Sequence, residues 1–242
     1  MRIIRVKDYQ QMSSVAANII SAQAILKPDS VLGLATGRTP VGTYEQLIKK
    51  YQEGTLDLSK VRTANLDEYI GLSAKDENSY YYFMQKNFFS GVNVDLANIH
   101  IPNGQAKDMA AECQRYDDVL QNIGRIDLQL LGVGVNGHIG FNEPADAFTK
   151  RTHFVRLADS TIDANKPFFV KKTDVPTAAV TMGILDIIQA SKVLLLASGK
   201  KKAQAIAEAF FGPVTPLVPA SILQLHRDVI LVADEDALSL VK

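Results

Sequence analysis

The stretch Ile126–Pro144 reads IDLQLLGVGVNGHIGFNEP, and the fold can be predicted from it. Its first residues, as far as Leu131, have the apolar character of a buried strand. Glycines then interrupt the chain at Gly132, Gly134, Gly137 and Gly140. Side chains able to bind or move protons lie among them, namely Asn136, His138, Asn142 and Glu143. A strand that ends in glycines and then polar side chains is typical of a site at the carboxyl edge of an α/β sheet.

A dinucleotide site is one alternative, because Gly132–Gly137 matches the G-x-G-x-x-G pattern and Asp159 follows at a suitable distance. Such a site needs a helix directly after the third glycine. The next residues, His138–Pro144, are too interrupted to form a long helix. We therefore interpret the glycines as a turn that lets the backbone pass close to a small ligand.

The composition excludes several classes of function. The chain has 242 residues, 47% of them hydrophobic, and Lys plus Arg balance Asp plus Glu at 26 each. This balance predicts no attraction to nucleic acid or anionic lipid. Cys113 is the only cysteine, so no disulfide can form within the chain, and a cytoplasmic location is expected. The opening MRIIRVKDYQQM lacks a long apolar run, so we expect no secretory signal and no membrane partner.

The rest of the chain alternates between predicted strands and helices. Further strands are expected at Val31–Ala35, Val61–Leu66, Ile99–Pro102, Thr152–Leu157, Val193–Ala197 and Val229–Ala233. Helices are expected at Asp8–Ile25, Val41–Tyr51 and Ser79–Phe89, after Asp108 and Asp159, and at Met182–Ala190, Lys200–Phe210, Ser221–His226 and Glu235–Val241. The alternation predicts an α/β fold, a mostly parallel sheet with helices on both faces. Since no linker interrupts it, we expect a single domain over residues 1–242.

The segment Gly33–Thr43, GLATGRTPVGT, runs from a predicted strand into a predicted helix. Its small and hydroxyl residues would let backbone N–H groups and a helix N-terminus face an anion. It is not an ATP-type loop, because no Lys precedes Thr43, so a simple phosphoester is the expected ligand. An ordinary strand-to-helix turn is the alternative.

The segment Asn65–Leu72, NLDEYIGL, also follows a predicted strand. Asp67 and Glu68 are adjacent and would point in different directions in an extended chain, so one could face a pocket while the other contacts the protein. A carboxylate in a partly desolvated pocket could act as the base for a carbon-bound proton. The alternative is an acid that caps a helix or braces a loop.

His138 is the histidine best placed for catalysis, because a catalytic His needs a partner that sets its tautomer, and Asn136 and Glu143 are close in sequence. A core or turn histidine is the alternative. His138 and Glu143 do not form the His-x-x-x-His pair of zinc proteases, and the chain has no cysteine cluster, so no metal site is expected. Cys113 is expected to be a packed core thiol.

Five motifs occur in the order GLATGRTP, NLDEYIGL, NSYYYFMQKNFF, IPNG and GVGVNGHIGFNEP. With them the chain resembles the glucosamine-6-phosphate deaminase family along nearly its whole length. The resemblance implies conversion of glucosamine 6-phosphate and water to fructose 6-phosphate and ammonia. It also implies a Rossmann-like parallel sheet, no cofactor, a small-molecule sugar phosphate as the binding partner, and a monomer or a homo-oligomer.

The resemblance assigns catalytic roles as well. Asp67 matches the base that moves a proton from C2 to C1 of the opened sugar. His138 matches the residue that helps to open the pyranose ring, assisted by Glu143. Asn136 stands where well-known members carry Asp, and an amide can orient His138 by hydrogen bonding but supplies no charge. We expect this change to lower the pH range of ring opening.

Substrate-binding positions are implied in the same way. Those that fit the family are Thr36, Gly37, Thr39, Gly137 and Lys202. Arg38 stands where a Gly is common, and Pro167 stands where an Arg of a flap usually reaches the phosphate. We hypothesise that Arg38 or Lys166 replaces this charge.

The flap, at about residues 153–181, is expected to close over the open-chain sugar and exclude water. In allosteric members a basic cluster near its start binds an acetylated sugar phosphate. His153 and Val155 occupy basic positions of that cluster, so we expect little or no such activation.

Two other functions remain open. A 6-phosphogluconolactonase-like hydrolase shares the fold and a Gly-His motif, although Asp67–Tyr69 and Phe141–Pro144 favour the deaminase. A catalytically silent sugar-phosphate sensor would tolerate the departures at Arg38 and Pro167, but it would have no need of the acid–base residues.

Overall fold

The computed structural model describes residues 1–166, 169 and 175–241, and this part of the chain forms ten strands and seven α-helices. The strands are β1 Arg2–Val6, β2 Val31–Leu34, β3 Arg62–Asn65, β4 Asp67–Tyr69, β5 Ile99–His100, β6 Leu128–Gly132, β7 His153–Arg156, β8 Ala178–Thr181, β9 Val193–Ala197 and β10 Val229–Asp234. The helices are α1 Tyr9–Leu26, α2 Val41–Gln52, α3 Tyr80–Asn87, α4 Met109–Ile123, α5 Asp159–Asn165, α6 Ile184–Ile188 and α7 Ala203–Phe211. No helix in these residues has the length and hydropathy to cross a membrane.

The main sheet has seven strands in the order β1-β10-β9-β6-β2-β3-β5, and every neighbouring pair is parallel. All residues of β9 and β10 are buried. Because successive side chains of a strand point to opposite faces, both faces of the sheet are covered. The α/β fold with a mostly parallel, Rossmann-like sheet is therefore confirmed.

The strand order places a crevice between β2 and β6. From β2 the chain adds β3 and β5 on one side, and it then adds β6, β9 and β10 on the other side. Parallel α/β sheets bind ligands beyond the carboxyl ends of their strands, at the point where the order reverses. The loops that follow β2, β3, β6 and β9 all begin at this edge, and they carry the residues singled out in the sequence.

A second, antiparallel sheet, in the order β4-β8-β7, lies next to this edge. The chain passes from β3 into β4 with only Leu66 between them, so Asp67 is the first residue of the second sheet. There Asp67 is paired with Thr181. The second sheet covers a small hydrophobic cluster of its own, formed by Tyr69, Phe141, Leu157, Phe169, Val175 and Ala179.

Three helices begin directly after a residue whose side chain caps the helix N-terminus. Asp8 caps α1 by accepting a hydrogen bond from the N–H of Gln11. Asp108 caps α4 by accepting from Ala110 and Ala111, as the sequence predicts. Ser79 caps α3 through its side-chain oxygen.

Several elements differ from the sequence predictions. β1, β4 and β8 are not predicted, because β1 is an edge strand with two exposed Arg residues and the other two are short. The predicted helix Glu235–Val241 is wrong, since residues 235–240 form turns that begin with the Ala237 N–H donating to the carboxylate of Asp234. The predicted core thiol of Cys113 is wrong as well. It is only half-buried, and desolvation raises its pKa.

Candidate active site

The loop after β6 brings His138 and Glu143 together. The Nδ1 atom of His138 lies 3.4 Å from Oε2 of Glu143, and their side chains are 18% and 8% exposed. The imidazole lies flat against Gly134, because a Cβ there would come within 2.3 Å of the ring. Only glycine fits beneath the ring, so the glycine turn and the histidine position depend on each other.

Asn136 contacts Glu143 rather than the imidazole. Its Nδ2 donates to Oε2 of Glu143 at 2.8 Å, and its Oδ1 accepts from the backbone N–H of His138 at 3.3 Å. Asn136 therefore hydrogen-bonds the backbone of His138 and the carboxylate of Glu143, and its role in orienting His138 stays a prediction. The short turn directs the amide toward the carboxylate, and Asn136 can act on the ring only through Glu143 and the backbone.

The carboxyl group of Glu143 is held in its ionised form. Its desolvation acts to raise the pKa, but contacts with His138, Thr161 and Asn136 outweigh this and lower the pKa below its usual value. A buried carboxylate next to an imidazole stabilises the protonated ring and fixes its orientation. The pair can therefore take up and release a proton without first reorganising.

Asp67 lies on the opposite wall of the same crevice. It is only 5% exposed, and none of the residues that the structure describes donates a hydrogen bond to its carboxylate. Desolvation, followed by the charge of Glu68, raises its pKa well above the ordinary value. A carboxylate that lacks donors and is short of solvation is a stronger base than a surface Asp.

The neighbouring acid has a different task. Glu68 accepts hydrogen bonds from the N–H groups of Tyr69, Tyr80 and Tyr81, each at 2.8 Å, so it braces the start of α3. Burial raises its pKa to about 7 in spite of these donors. The bracing role predicted for one of the two acids therefore belongs to Glu68, and Asp67 remains the candidate for the base.

Gly140 joins the two walls of the crevice. Its φ is +58°, and a Cβ at this position would lie 3.5 Å from Oδ2 of Asp67 and 3.0 Å from the hydroxyl of Thr181. The Thr181 hydroxyl accepts from the N–H of Phe141 at 3.0 Å. The amide of Asn142 donates to the carbonyls of Ile139 and Met182, both at 2.9 Å. These bonds attach the histidine loop to the second sheet.

Sequence reasoning gave Thr181 no role, and no spacing in the chain could have revealed one. Its contact with the histidine loop depends on the pairing of β4 with β8. Tyr80 is a second such residue. Its side chain is hydrogen-bonded to Thr36, and its hydroxyl donates to that of Tyr69 at 3.2 Å.

The loop after β2 holds Thr36, Gly37, Arg38 and Thr39 at the carboxyl edge, next to the β6 loop. Gly37 has a φ of +91° and open space where a side chain would be, so its backbone is accessible. The carbonyl of Arg38 accepts from the hydroxyl of Tyr9 at 3.0 Å. The N–H of Gly42, in the first turn of α2, donates to that hydroxyl. This helix terminus is therefore braced by the protein, and the accessible part of the loop lies before it.

Lys202 provides a cation from the far side of the β6 loop. It follows β9 in a short 3₁₀ turn, and its ammonium donates to the carbonyl of Val133 at 2.7 Å. Burial lowers its pKa, and no carboxylate in the described residues forms an ion pair with it. A desolvated ammonium without a counter-ion is suited to an anionic ligand.

The other residues singled out in the sequence are Gly137, Lys166 and Pro167. Gly137 has a φ of +82°, and its carbonyl accepts from the N–H of Ala220 at 2.8 Å. Lys166 forms an ion pair with Asp163. Pro167 lies outside the described residues.

Comparison with known proteins gives a consistent result. A family model described as glucosamine-6-phosphate isomerases/6-phosphogluconolactonase matches residues 8–232. The chain is 58% identical to a glucosamine-6-phosphate deaminase of Lachnoclostridium phytofermentans, over 96% of this chain and 98% of that protein. It is 53% identical to the same enzyme of Clostridium botulinum (strain Loch Maree), over 99% and 98%.

Solved structures extend the comparison to the fold. A monomeric glucosamine-6-phosphate deaminase matches with a TM-score of 0.97 and 45% identity, over 99% of this chain and 100% of that one. A 6-phosphogluconolactonase from Thermotoga maritima matches with a TM-score of 0.78 and 18% identity, over 96% and 99%, and this likeness shows the fold alone. The chain therefore belongs to the glucosamine-6-phosphate isomerase/6-phosphogluconolactonase family.

Proposed function

We propose that the protein is a glucosamine-6-phosphate deaminase, which converts glucosamine 6-phosphate and water to fructose 6-phosphate and ammonia. The observation that carries the proposal is the pairing of two differently tuned acids around one crevice. Asp67 is buried with no donor to its carboxylate among the described residues, and Glu143 is held ionised beside His138. Full-length identities of 52–58% to deaminases support the same activity.

Ring opening is assigned to His138 with Glu143. The C1–O5 bond of the sugar breaks, the O1 hydroxyl loses its proton, and O5 gains one. An imidazole can take up the first proton and supply the second, because its unperturbed pKa lies near neutrality. Glu143 stabilises the protonated ring while the proton is in transit.

Deamination is assigned to Asp67. The aldehyde of the open-chain sugar makes the C2 proton acidic, so a carboxylate base can remove it, and a proton of the C2 ammonium group passes to the aldehyde oxygen, which gives an enolamine. Return of the proton to C1 leaves an iminium at C2. Water then adds at C2 and ammonia leaves, which yields the ketose. Asp67 begins and ends this sequence ionised, so one residue suffices for the transfer.

The phosphate group is assigned to the loop Thr36–Thr39 and to Lys202. These residues follow β2 and β9, which flank β6 in the sheet. Phosphate held there would position the sugar across the β6 loop. Binding energy from such a group, which is distant from the reacting carbon atoms, helps to hold those atoms in the reactive orientation.

The first prediction concerns the reaction itself. The wild-type protein should release ammonia from glucosamine 6-phosphate, and Asp67→Asn should lower kcat by about 10²- to 10⁴-fold, because the amide cannot accept the C2 proton. Coupled ammonia detection measures both, and exposed Asp146→Asn is the matched control. Hydrolysis of 6-phosphogluconolactone would show instead that the protein is a lactonase. Binding of glucosamine 6-phosphate without release of ammonia would show that it is a sensor.

The second prediction concerns pH. Asn136→Asp replaces a donor to Glu143 with a like charge, so the pKa of Glu143 should rise, and activity should be lost at higher pH as the solution is acidified. The expected displacement of the acid limb is on the order of one pH unit. Profiles of kcat/KM against pH for the two proteins measure it. Superimposable profiles would contradict the role given to Asn136.

The third prediction concerns the missing flap arginine. We propose that Arg38 or Lys166 supplies the charge, so Arg38→Gly or Lys166→Ala should raise KM by about 10-fold, the cost of one charged hydrogen bond. Lys201→Ala, at an exposed lysine next to Lys202, is the control. If KM stayed unchanged in both variants, the compensation would have to come from another residue.

The fourth prediction concerns regulation. A cavity of about 340 Å³ lies behind Glu143, and His153, Val155 and Arg156 border it. Burial lowers the pKa of His153, so this residue offers little positive charge at neutral pH. We expect hyperbolic kinetics with no activation by N-acetylglucosamine 6-phosphate. A sigmoidal velocity curve that this sugar made hyperbolic would be the contrary result.

A further inference from the structure

A hydroxyl group from the start of the flap lies beside the histidine pair. Oγ1 of Thr161, in the first turn of α5, is 3.3 Å from Nδ1 of His138. Thr161 is only 3% exposed, whereas its neighbours Asp159 and Ser160 are exposed. The backbone N–H of Thr161 donates to Ala158, so α5 forms its first turn without help from this side chain.

The same hydroxyl also contacts the carboxylate of Glu143. A threonine hydroxyl has one proton to donate and lone pairs to accept with. Ionised Glu143 can only accept, so the hydroxyl proton goes to Glu143. The oxygen of Thr161 is then left as an acceptor for Nδ1 of His138. This arrangement is satisfied only when Nδ1 carries a proton.

We propose that Thr161 is a positioning residue that holds His138 in the Nδ1–H form, leaving the lone pair of Nε2 to accept the sugar proton. The inference rests on the proposed function and adds a residue of the flap segment to the ring-opening group. Which ring nitrogen is protonated is set by hydrogen-bond partners, and at Nδ1 of His138 the hydroxyl of Thr161, at 3.3 Å, shares this task with Glu143, at 3.4 Å.

A purely space-filling role would not require the hydroxyl to point at two polar groups. Thr152 provides the comparison within the same chain. It is also buried, and its hydroxyl has no hydrogen-bond partner in the structure. Thr161 differs because its hydroxyl lies between an acid and an imidazole, both of which change charge or hydrogen bonding during ring opening.

The location of Thr161 has a consequence for the flap. α5 connects β7 to the segment that leads into residues 167–174, so the hydroxyl reaches His138 only when α5 lies against the β6 loop. Ser160 strengthens this contact, because its hydroxyl accepts from Nδ2 of Asn136 at 3.4 Å. The position of α5 and the tautomer of the histidine are thereby coupled.

The fifth prediction tests this role with three variants. Thr161→Val keeps the shape but removes the hydroxyl, and it should lower kcat by about 10- to 100-fold with little change in KM. Thr161→Ser keeps the hydroxyl and should retain most of the activity. Thr152→Val, the matched buried control, should behave like the wild type. If Thr161→Ser were as impaired as Thr161→Val, or if both were fully active, the proposal would be overturned.

A second measurement is independent of turnover. ¹⁵N chemical shifts of histidine-labelled protein report which ring nitrogen carries the proton, and His138→Gln identifies the signals among the four histidines. We expect protonated Nδ1 in the wild type and a mixture of tautomers in Thr161→Val. Protonated Nε2 in the wild type would overturn the inference. A protein with the expected shifts that releases no ammonia would refute the proposed function and leave the tautomer assignment standing.

Discussion

The hydrogen-bonded joint between the two sheets is the constraint on which the site depends. The backbone of Leu66 accepts from Met182 at 2.7 Å, and the next pair in register is Asp67 with Thr181. Asn142 then ties the histidine loop to Met182. Asp67, the proposed base, belongs to one sheet, and His138 and Glu143, the proposed ring-opening pair, belong to a loop of the other. This joint helps to fix the separation between them, and a proton transfer tolerates little error in that separation.

Two carboxyl groups of similar chemistry are given opposite properties by their surroundings. Asp67 is desolvated, lies beside the charge of Glu68 and has no donor among the described residues, so its pKa rises. Glu143 has a histidine, a hydroxyl and an amide around it, so its pKa falls although it is also buried. Acids whose environments separate their pKa values can perform different steps in one site.

Local signals in the sequence were sufficient for most of the fold. The capping residue Asp108 and the apolar segments Val193–Ala197 and Val229–Ala233 depend on neighbours within one element, so their structures follow from their own residues. β4 was missed because three residues carrying two acids look like a loop, and only pairing with β8 makes them a strand. The predicted terminal helix failed because Asp234 holds a turn instead.

The contacts in the candidate site also differ in how far the sequence predicts them. His138 and Glu143 are near neighbours in sequence, so their contact could be expected from spacing. The hydroxyls of Thr161 and Thr181 reach the site from distant segments, and the chain carries no local signal for them. Asn136 is only partly predictable from the sequence. Its proximity to the pair was predictable, but the choice of Glu143 over the imidazole depends on a turn angle that sequence does not specify.

The neighbour of the base, Glu68, has one more consequence. Burial raises its pKa to about 7, which lies in the range where Asp67, the proposed base, would have to be ionised. When Glu68 becomes neutral, the like charge beside Asp67 disappears, and ionisation of Asp67 becomes easier. The two acids therefore titrate as a coupled pair rather than as separate groups. Glu68, which braces a helix, thereby buffers the charge of its neighbour and broadens the pH interval over which that charge is lost.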